Sequence, residues 1–131
     1  MLRKILILSS IILLFTACVE ETDPTNARED FLGNWTCNEY EGDFAPQTYN
    51  VEVLPYGSGN EVRIWGLYNQ GNSFVLTGSV SSKTIYIDNQ TVNGITISGY
   101  GNINNNLDRV DVVFSANDGS GTDNVKATWL R

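Results

Sequence analysis

From Phe31 to the end of the chain, apolar and polar residues alternate in short segments separated by clusters of Gly, Asn, Asp and Pro. A period of two places successive side chains on opposite faces of a strand, whereas an amphipathic helix needs a period of about 3.6 residues. No stretch after Phe31 has the helical period. The pattern predicts eight strands at residues 33–40, 47–54, 61–68, 73–80, 83–88, 94–103, 107–115 and 123–130.

The links between these strands are too short to contain crossover helices, so neighbouring strands are expected to run antiparallel in up-and-down order. A sheet with one apolar face removes its exposed edges by closing into a barrel. Gly66, Gly78, Gly99 and Gly101 lie inside predicted strands, where glycine permits the bends that closure requires. We therefore predict an all-β domain over residues 31–131, an eight-stranded antiparallel up-and-down barrel.

The alternation assigns one apolar side of each strand to the barrel interior. The bulkiest side chains of this interior set are Trp35, Tyr49, Phe74, Phe114 and Trp129. They are the predicted lining of any cavity for a small apolar ligand. Side chains of this size also suffice to fill a small barrel by themselves. Both a ligand cavity and a filled interior are compatible with the pattern.

A second set of apolar residues alternates onto the outer face of the predicted barrel. The set comprises Trp65, Leu67, Val75, Tyr86, Tyr100 and Leu130. In one interpretation, a bulge at Gly66 or Gly99 turns part of a strand inward, or the preceding segment covers these residues. In the other, they form an exposed patch that binds a partner, with Trp65 and Tyr86 as its anchors.

The amino terminus has the pattern of an export signal. Arg3 and Lys4 precede an apolar run of 11 residues, which is too short for a stable membrane-spanning helix. The following Phe15-Thr16-Ala17-Cys18 resembles the lipobox of bacterial lipoproteins. The resemblance implies that residues 1–17 are a signal peptide and that Cys18 carries lipid, with fatty acids such as palmitate, as the first residue of the mature chain.

The charge of the mature chain excludes nucleic acid as a partner. Removal of residues 1–17 takes two cations away and leaves six Lys and Arg against 15 Asp and Glu, a formal charge of −9. Such a surface repels a polyphosphate. Residues 19–30 are polar, and with the lipidated Cys18 they are expected to form a flexible tether, residues 18–30, between the membrane and the barrel.

The sequence offers no constellation of catalytic or metal-binding residues. It contains no His, the commonest general base and transition-metal ligand. The nearby carboxylates of Asp108 and Asp111 are typical of a solvated rim, and residues 117–124 are typical of hairpin turns more than of a calcium loop. Cys37 shares a face with Trp35 and is expected to be a buried, inert thiol. We therefore predict no enzyme, no metal and no cofactor.

Phe31-Leu32-Gly33-Asn34-Trp35 is similar to the F-x-G-x-W opening of lipocalins and lipocalin-like domains. Together with the lipobox, it makes the chain resemble the small lipocalin-like lipoproteins of Gram-negative bacteria. The resemblance implies that Trp35 plugs one end of the barrel and that a cation from the last strand packs over it, a position that Arg131 suits. It also implies an anchor in the outer membrane, on the periplasmic or the surface-exposed side.

These observations predict a lipid-anchored binding protein of the cell envelope. It would hold a small apolar ligand or present a surface to an envelope protein. The alternative is an inhibitor of an envelope hydrolase (a protease or lysozyme), or a structural lipoprotein with a filled barrel.

Overall fold

The computed structural model describes residues 24–131, with the side chains from residue 27 onward, and this part of the chain forms one closed barrel. All neighbouring strands are antiparallel and follow chain order, and β1 pairs with β8 to close the barrel. The predicted fold class is therefore confirmed. The strands are β1 Gly33–Glu41, β2 Gln47–Pro55, β3 Glu61–Gly66, β4 Gly71–Ser81, β5 Thr84–Val92, β6 Ile95–Ile103, β7 Arg109–Asn117 and β8 Thr122–Leu130.

A short helix, α1 (Pro24–Glu29), lies before the barrel and packs against it. Ala27 and Arg28 of this helix are buried. The Arg28 Nη1 donates to the carbonyl oxygens of Tyr56, Gly57 and Glu61 at 3.4, 3.2 and 3.3 Å, and so ties α1 to the link between β2 and β3. We call the barrel end that α1 covers the helix end, and the other the opposite end.

The helix corrects the predicted boundary of the flexible tether. Residues 24–29 are folded against the barrel, although their composition is polar. The physical reason is that Arg28 buries its aliphatic stem and satisfies three carbonyl groups with its head, so a charged residue serves as a packing residue. Residues 1–23, which include Cys18 and the signal peptide, lie outside the described part of the chain. No helix within residues 24–131 is long and apolar enough to cross a membrane.

The core is the interior of the barrel, as alternation predicts. An aromatic pair lies towards each end of it: the ring centroids of Trp35 and Trp129 are 6.4 Å apart towards the helix end, and those of Tyr68 and Phe114 are 5.9 Å apart towards the opposite end. The largest fully buried side chains are Trp35, Trp129, Phe31, Phe74, Ile64, Leu67, Leu76, Ile85, Ile97, Val51, Val53 and Val62.

The connection between β3 and β4 differs from the prediction, which continued the third strand to residue 68. The strand ends at Gly66, which has a φ of 86° and lies at a register shift against β4. A single 3-10 turn, Leu67–Asn69, follows and directs Leu67 into the core, where it is fully buried. Strict alternation would place Leu67 on the outer face, but the bulge at Gly66 turns it inward, so of the two interpretations given for this set the bulge is confirmed at Leu67.

Candidate functional site

The five predicted cavity-lining residues all contribute to the core. Trp35, Phe74 and Trp129 are 1%, 0% and 0% exposed. A void able to hold water would leave accessible surface on the side chains of its wall, so no such void borders these three residues. Phe114 is also buried, and Tyr49 is half-buried and packs against the core near the opposite end. The geometry at these positions is that of a filled barrel.

The helix end is closed by Trp35 and Arg131. The indole Nε1 of Trp35 donates to the carbonyl oxygen of Phe31 at 2.8 Å, and the Arg131 Cζ lies 4.0 Å from the centroid of the Trp35 ring. The guanidinium also donates to the carbonyl oxygens of Asp30, Leu32 and Leu107 at 2.7, 3.0 and 2.9 Å. The predicted contact of Arg131 with Trp35 is confirmed.

Two buried carboxyl groups lie at the opposite end. Glu39 is 3% exposed and Asp123 is 4% exposed. The Tyr68 hydroxyl donates to Asp123 Oδ2 at 2.8 Å, and the Asp43 N–H donates to Asp123 Oδ1 at 2.9 Å. The Gln47 side-chain amide donates to Glu39 Oε2 at 2.6 Å. Each carboxyl group is thus held by neutral donors.

Burial raises the pKa of Glu39 above its ordinary value, because removal from water disfavours the charged form, and the nearby Asp123 carboxyl adds to this effect. Neither residue was predicted to be an interior residue. The signal that could have found them is alternation, since Glu39 shares the face of Trp35 and Asp123 shares that of Val125.

Cys37 is buried, as predicted, and burial raises the pKa of its thiol to about 12. At neutral pH the group is therefore protonated and a poor nucleophile. Within residues 24–131 no three His, Cys, Asp or Glu side chains are arranged to hold a metal ion. In the turn before β8, Asn117 Oδ1 accepts from the Gly119 N–H at 2.8 Å and Asp118 Oδ1 accepts from the Ser120 N–H at 3.0 Å. These bonds are those of a hairpin turn.

Three outward-facing side chains form a row across β5, β6 and β7: the exposed Tyr86 and Tyr100 and the half-buried Val113. We call this row the aromatic strip, after its two tyrosines. Tyr86 is opposite Tyr100, and Tyr100 is opposite Val113. The two tyrosines are 46% and 48% exposed. Next along this row, Lys126 is opposite Val113 and forms an ion pair of 3.2 Å with Glu41.

A depression of about 300 Å³ lies beside this strip, on the outer wall of the barrel. Its lining is mainly apolar, with the Glu41–Lys126 ion pair at its border. It is lined by Glu41, Ser98, Gly99, Tyr100, Val113, Phe114, Ser115, Asn124, Val125 and Lys126. An apolar depression with a charged border is typical of a site that receives an apolar group and orients it by polar contacts.

The second predicted anchor, Trp65, lies elsewhere on the wall. It is opposite Glu52 on β2 and Val75 on β4. Its indole Nε1 is buried and has no hydrogen-bond partner in the described part of the chain. Polar side chains of Thr77 and Asp88, hydrogen-bonded at 3.2 Å, occupy the wall towards Tyr86. The structure therefore keeps Trp65 apart from the aromatic strip.

Comparison with known proteins supports the architecture alone. No family model matches the chain, and no curated protein matches its sequence significantly. Among solved structures, a redesigned β-barrel is similar over 80% of this chain and 94% of its own, with a TM-score of 0.50 and 16% sequence identity. At this identity the similarity shows that the two chains share a barrel fold.

Proposed function

We propose that this protein is a lipid-anchored binding protein of the bacterial envelope, and that it binds a protein partner through the outer wall of its barrel. The proposal rests on the contrast between the barrel interior and its outer wall. The bulky interior side chains leave no water-sized space around Trp35, Phe74 and Trp129, whereas an apolar depression of about 300 Å³ is open on the outside.

The depression favours a partner that inserts an apolar side chain. Tyr100 and Val113 supply apolar contact area, and tyrosine rings contribute strongly at interfaces because they bury a large surface with few rotatable bonds. The Glu41–Lys126 pair at the border would orient the partner. The volume also suits a small apolar ligand, which is the second form of the proposal.

The proposed location follows from the lipobox resemblance at Cys18. Two or three acyl chains would hold the protein stably, because each buried CH2 contributes about 0.8 kcal/mol. The resemblance implies an anchor in the outer membrane of a Gram-negative cell. A filled barrel is equally compatible with an inhibitor of an envelope protease or lysozyme, or with a structural lipoprotein, and the identity of the partner distinguishes these roles.

The proposal is tested by site-specific photocrosslinking in the cells that make the protein. A photoreactive phenylalanine analogue replaces Tyr100 in one variant and Tyr56 in the control, since Tyr56 is 50% exposed but lies at the helix end. We expect a discrete protein adduct from position 100 and none from position 56. Val113→Glu, which places a charge in the depression, should abolish the adduct.

Two results would contradict this proposal. Equal adducts from both positions would mean that the crosslinked proteins are only non-specific neighbours. No adduct from position 100 would rule out a protein partner at the depression. In the second case, thermal shift with lipids and apolar dyes tests the small-ligand form, and a shift that Val113→Glu abolishes would support it.

A further inference from the structure

The barrel wall has a gap in its backbone pairing between β4 and β5. β4 has 11 residues and β5 has nine, but the two strands pair only from Gly78 opposite Ile87 to Ser81 opposite Thr84. Among the residues that the structure describes, the half of β4 before Gly78 pairs with β3 on one side and with no strand on the other. We call this unpaired edge, residues 71–77, the seam.

A bulge in β5 is the cause of the gap. The register of β5 against β6 shifts between Ile87 and Gln90, so β5 has one residue more than β6 at this place. An extra residue bends the strand that contains it and increases its twist. After Ile87, β5 therefore follows β6 and diverges from β4.

Gln90 shows that the seam can accept a peptide group. Its side-chain Oε1 accepts from the Thr77 N–H at 2.8 Å, and its Nε2 donates to the Thr77 carbonyl oxygen at 2.9 Å. One side-chain amide thus makes both bonds that a residue of a neighbouring strand would make. At Thr77 the seam is closed by this amide.

Beyond Thr77 the edge has no such substitute. In a strand, alternate residues direct their N–H and C=O groups to the same neighbour, so Val75 and Ser73 face the seam as Thr77 does. Within residues 24–131 neither of them has a backbone partner on that side. An unpaired row of donors and acceptors is a template for a further strand.

We propose that the seam binds an extended segment of a partner protein, which pairs with Ser73 and Val75 as an added strand and carries apolar and cationic side chains. Val75 is half-buried and outward-facing beside the half-buried Trp65, so an apolar side chain of the added strand would cover both.

The charged residues around the seam favour a partner segment that carries cations. Neither β4 nor β5 contains a Lys or Arg, and their single charged residue is the exposed Asp88. Glu52 lies opposite Trp65 and adds a second carboxylate on this part of the wall. A cation does lie opposite the seam, Arg63 across from Thr77, but it packs over the Tyr56 ring with its Cζ 3.9 Å from the ring centroid. A segment with Lys or Arg next to its apolar residues therefore complements the seam. This site lies on other strands than the depression beside Val113, so its existence does not depend on the function proposed above.

The test measures amide hydrogen exchange by NMR on the full chain in nanodiscs of zwitterionic lipid. Without ligand, we expect the amides of Ser73 and Val75 to exchange faster by a factor of about 100 than that of Leu76, which faces β3. The probe is the peptide acetyl-Lys-Val-Thr-Val-Lys-Val-amide. It should slow exchange at Ser73 and Val75 by about tenfold or more at saturation.

Two variants separate backbone pairing from side-chain contact. Val75→Pro removes the seam-facing N–H and leaves the β3-facing groups in place, so it should weaken peptide binding by about tenfold. Val75→Thr keeps the N–H and should bind within about threefold of the unchanged chain. If Val75→Pro fails to fold, the exchange measurement on the unchanged chain decides the matter alone.

Several outcomes would overturn the proposal. Slow exchange at Ser73 and Val75 before peptide is added would mean that the seam is already closed, by residues 1–23 or otherwise. Equal binding of a peptide with Glu in place of Lys would remove the charge selection. If the peptide does not bind, or if it slows amide exchange at Tyr100 and Val113 instead of at the seam, the seam is not a binding site.

Discussion

At the scale of single residues, each end of the barrel depends on a polar group placed among apolar ones. Arg131 is the last residue of the chain, yet it contacts the Trp35 ring and three carbonyl groups. At the other end, Glu39 lies buried beside Gln47. The Arg131 guanidinium is matched by these acceptors, whereas burial raises the pKa of the Glu39 carboxyl because it disfavours the charged form.

Arg131→Ala should lower the free energy of unfolding by about 1–2 kcal/mol, because it removes a cation–π contact and three hydrogen bonds to backbone oxygens. The matched control is Arg109→Ala, which removes an exposed ion pair of 2.9 Å with Asp111 and should cost no more than about 0.5 kcal/mol. Urea denaturation followed by tryptophan fluorescence measures both. Equal losses would show that the closure by Arg131 contributes nothing specific.

Glu39→Gln should stabilise the protein at pH 7 by about 1 kcal/mol and have little effect at pH 4. The folded state raises the pKa of Glu39, so this residue favours folding most at acid pH, and its contribution is lost as the pH rises from its ordinary pKa through the raised one. The neutral amide keeps an acceptor for Gln47 without the charge.

Glu41→Gln is the control for this pH dependence, since Glu41 is exposed beside Lys126 and its replacement should have a small effect at either pH. The measurement is the denaturant midpoint from pH 4 to pH 8. A destabilisation by Glu39→Gln that is the same at every pH would contradict the argument, because it would mean that the carboxylate is favourable where it lies.

At the scale of elements, the regular strands were predictable and the irregular connections were not. Alternation depends only on neighbouring residues, so it placed all eight strands and most interior positions correctly. The turn at Leu67–Asn69 and the bulge after Ile87 depend on register against the next strand, which no local pattern contains. The burial of α1 depends on three carbonyl groups about 30 residues away.

Gly66→Ala should cost more than about 2 kcal/mol, because this residue has a φ of 86° and a Cβ there would lie 2.8 Å from the carbonyl oxygen of Asn50. Gly71→Ala is a close control: Gly71 has a φ of 77° at the other side of the same connection, but no atom lies within 4 Å of its Cβ position. Backbone strain alone should cost about 1 kcal/mol there. Similar losses in the two variants, measured by thermal or urea denaturation, would exclude the steric contribution at Asn50.

At the scale of the whole molecule, the sequence predicted the architecture and the closure of the helix end, but not the candidate sites. The wall depression depends on which side chains four strands bring together, and the seam depends on where two strands separate. Both are properties of the assembled barrel. Trp65 and Tyr86 were recognised as outward-facing, yet their separation by Thr77 and Asp88 appears only in the folded wall.

The proposed anchor makes a prediction for the whole chain. Cys18→Ser should abolish incorporation of radiolabelled palmitate and release the protein from the membrane fraction, since the lipidated sulfur would be lost. Cys37→Ser is the matched control and should leave the labelling unchanged, because Cys37 is buried within the barrel. Labelling that persists in Cys18→Ser would refute the lipobox interpretation.

Because α1 begins at Pro24, only a short link separates the folded domain from the proposed lipid anchor at Cys18. With the fold beginning at Pro24, five residues separate it from Cys18, and a link of this length reaches about 20 Å at full extension. This is less than the length of a nine-residue strand, about 30 Å. The lipid would thus keep the helix end, which Arg131 closes, within about 20 Å of the bilayer, whereas the end that holds Asp123 could lie farther out. An affinity tag added after Arg131 would be held close to the lipid headgroups, whereas one inserted in the turn at residues 118–121 could reach farther into the compartment.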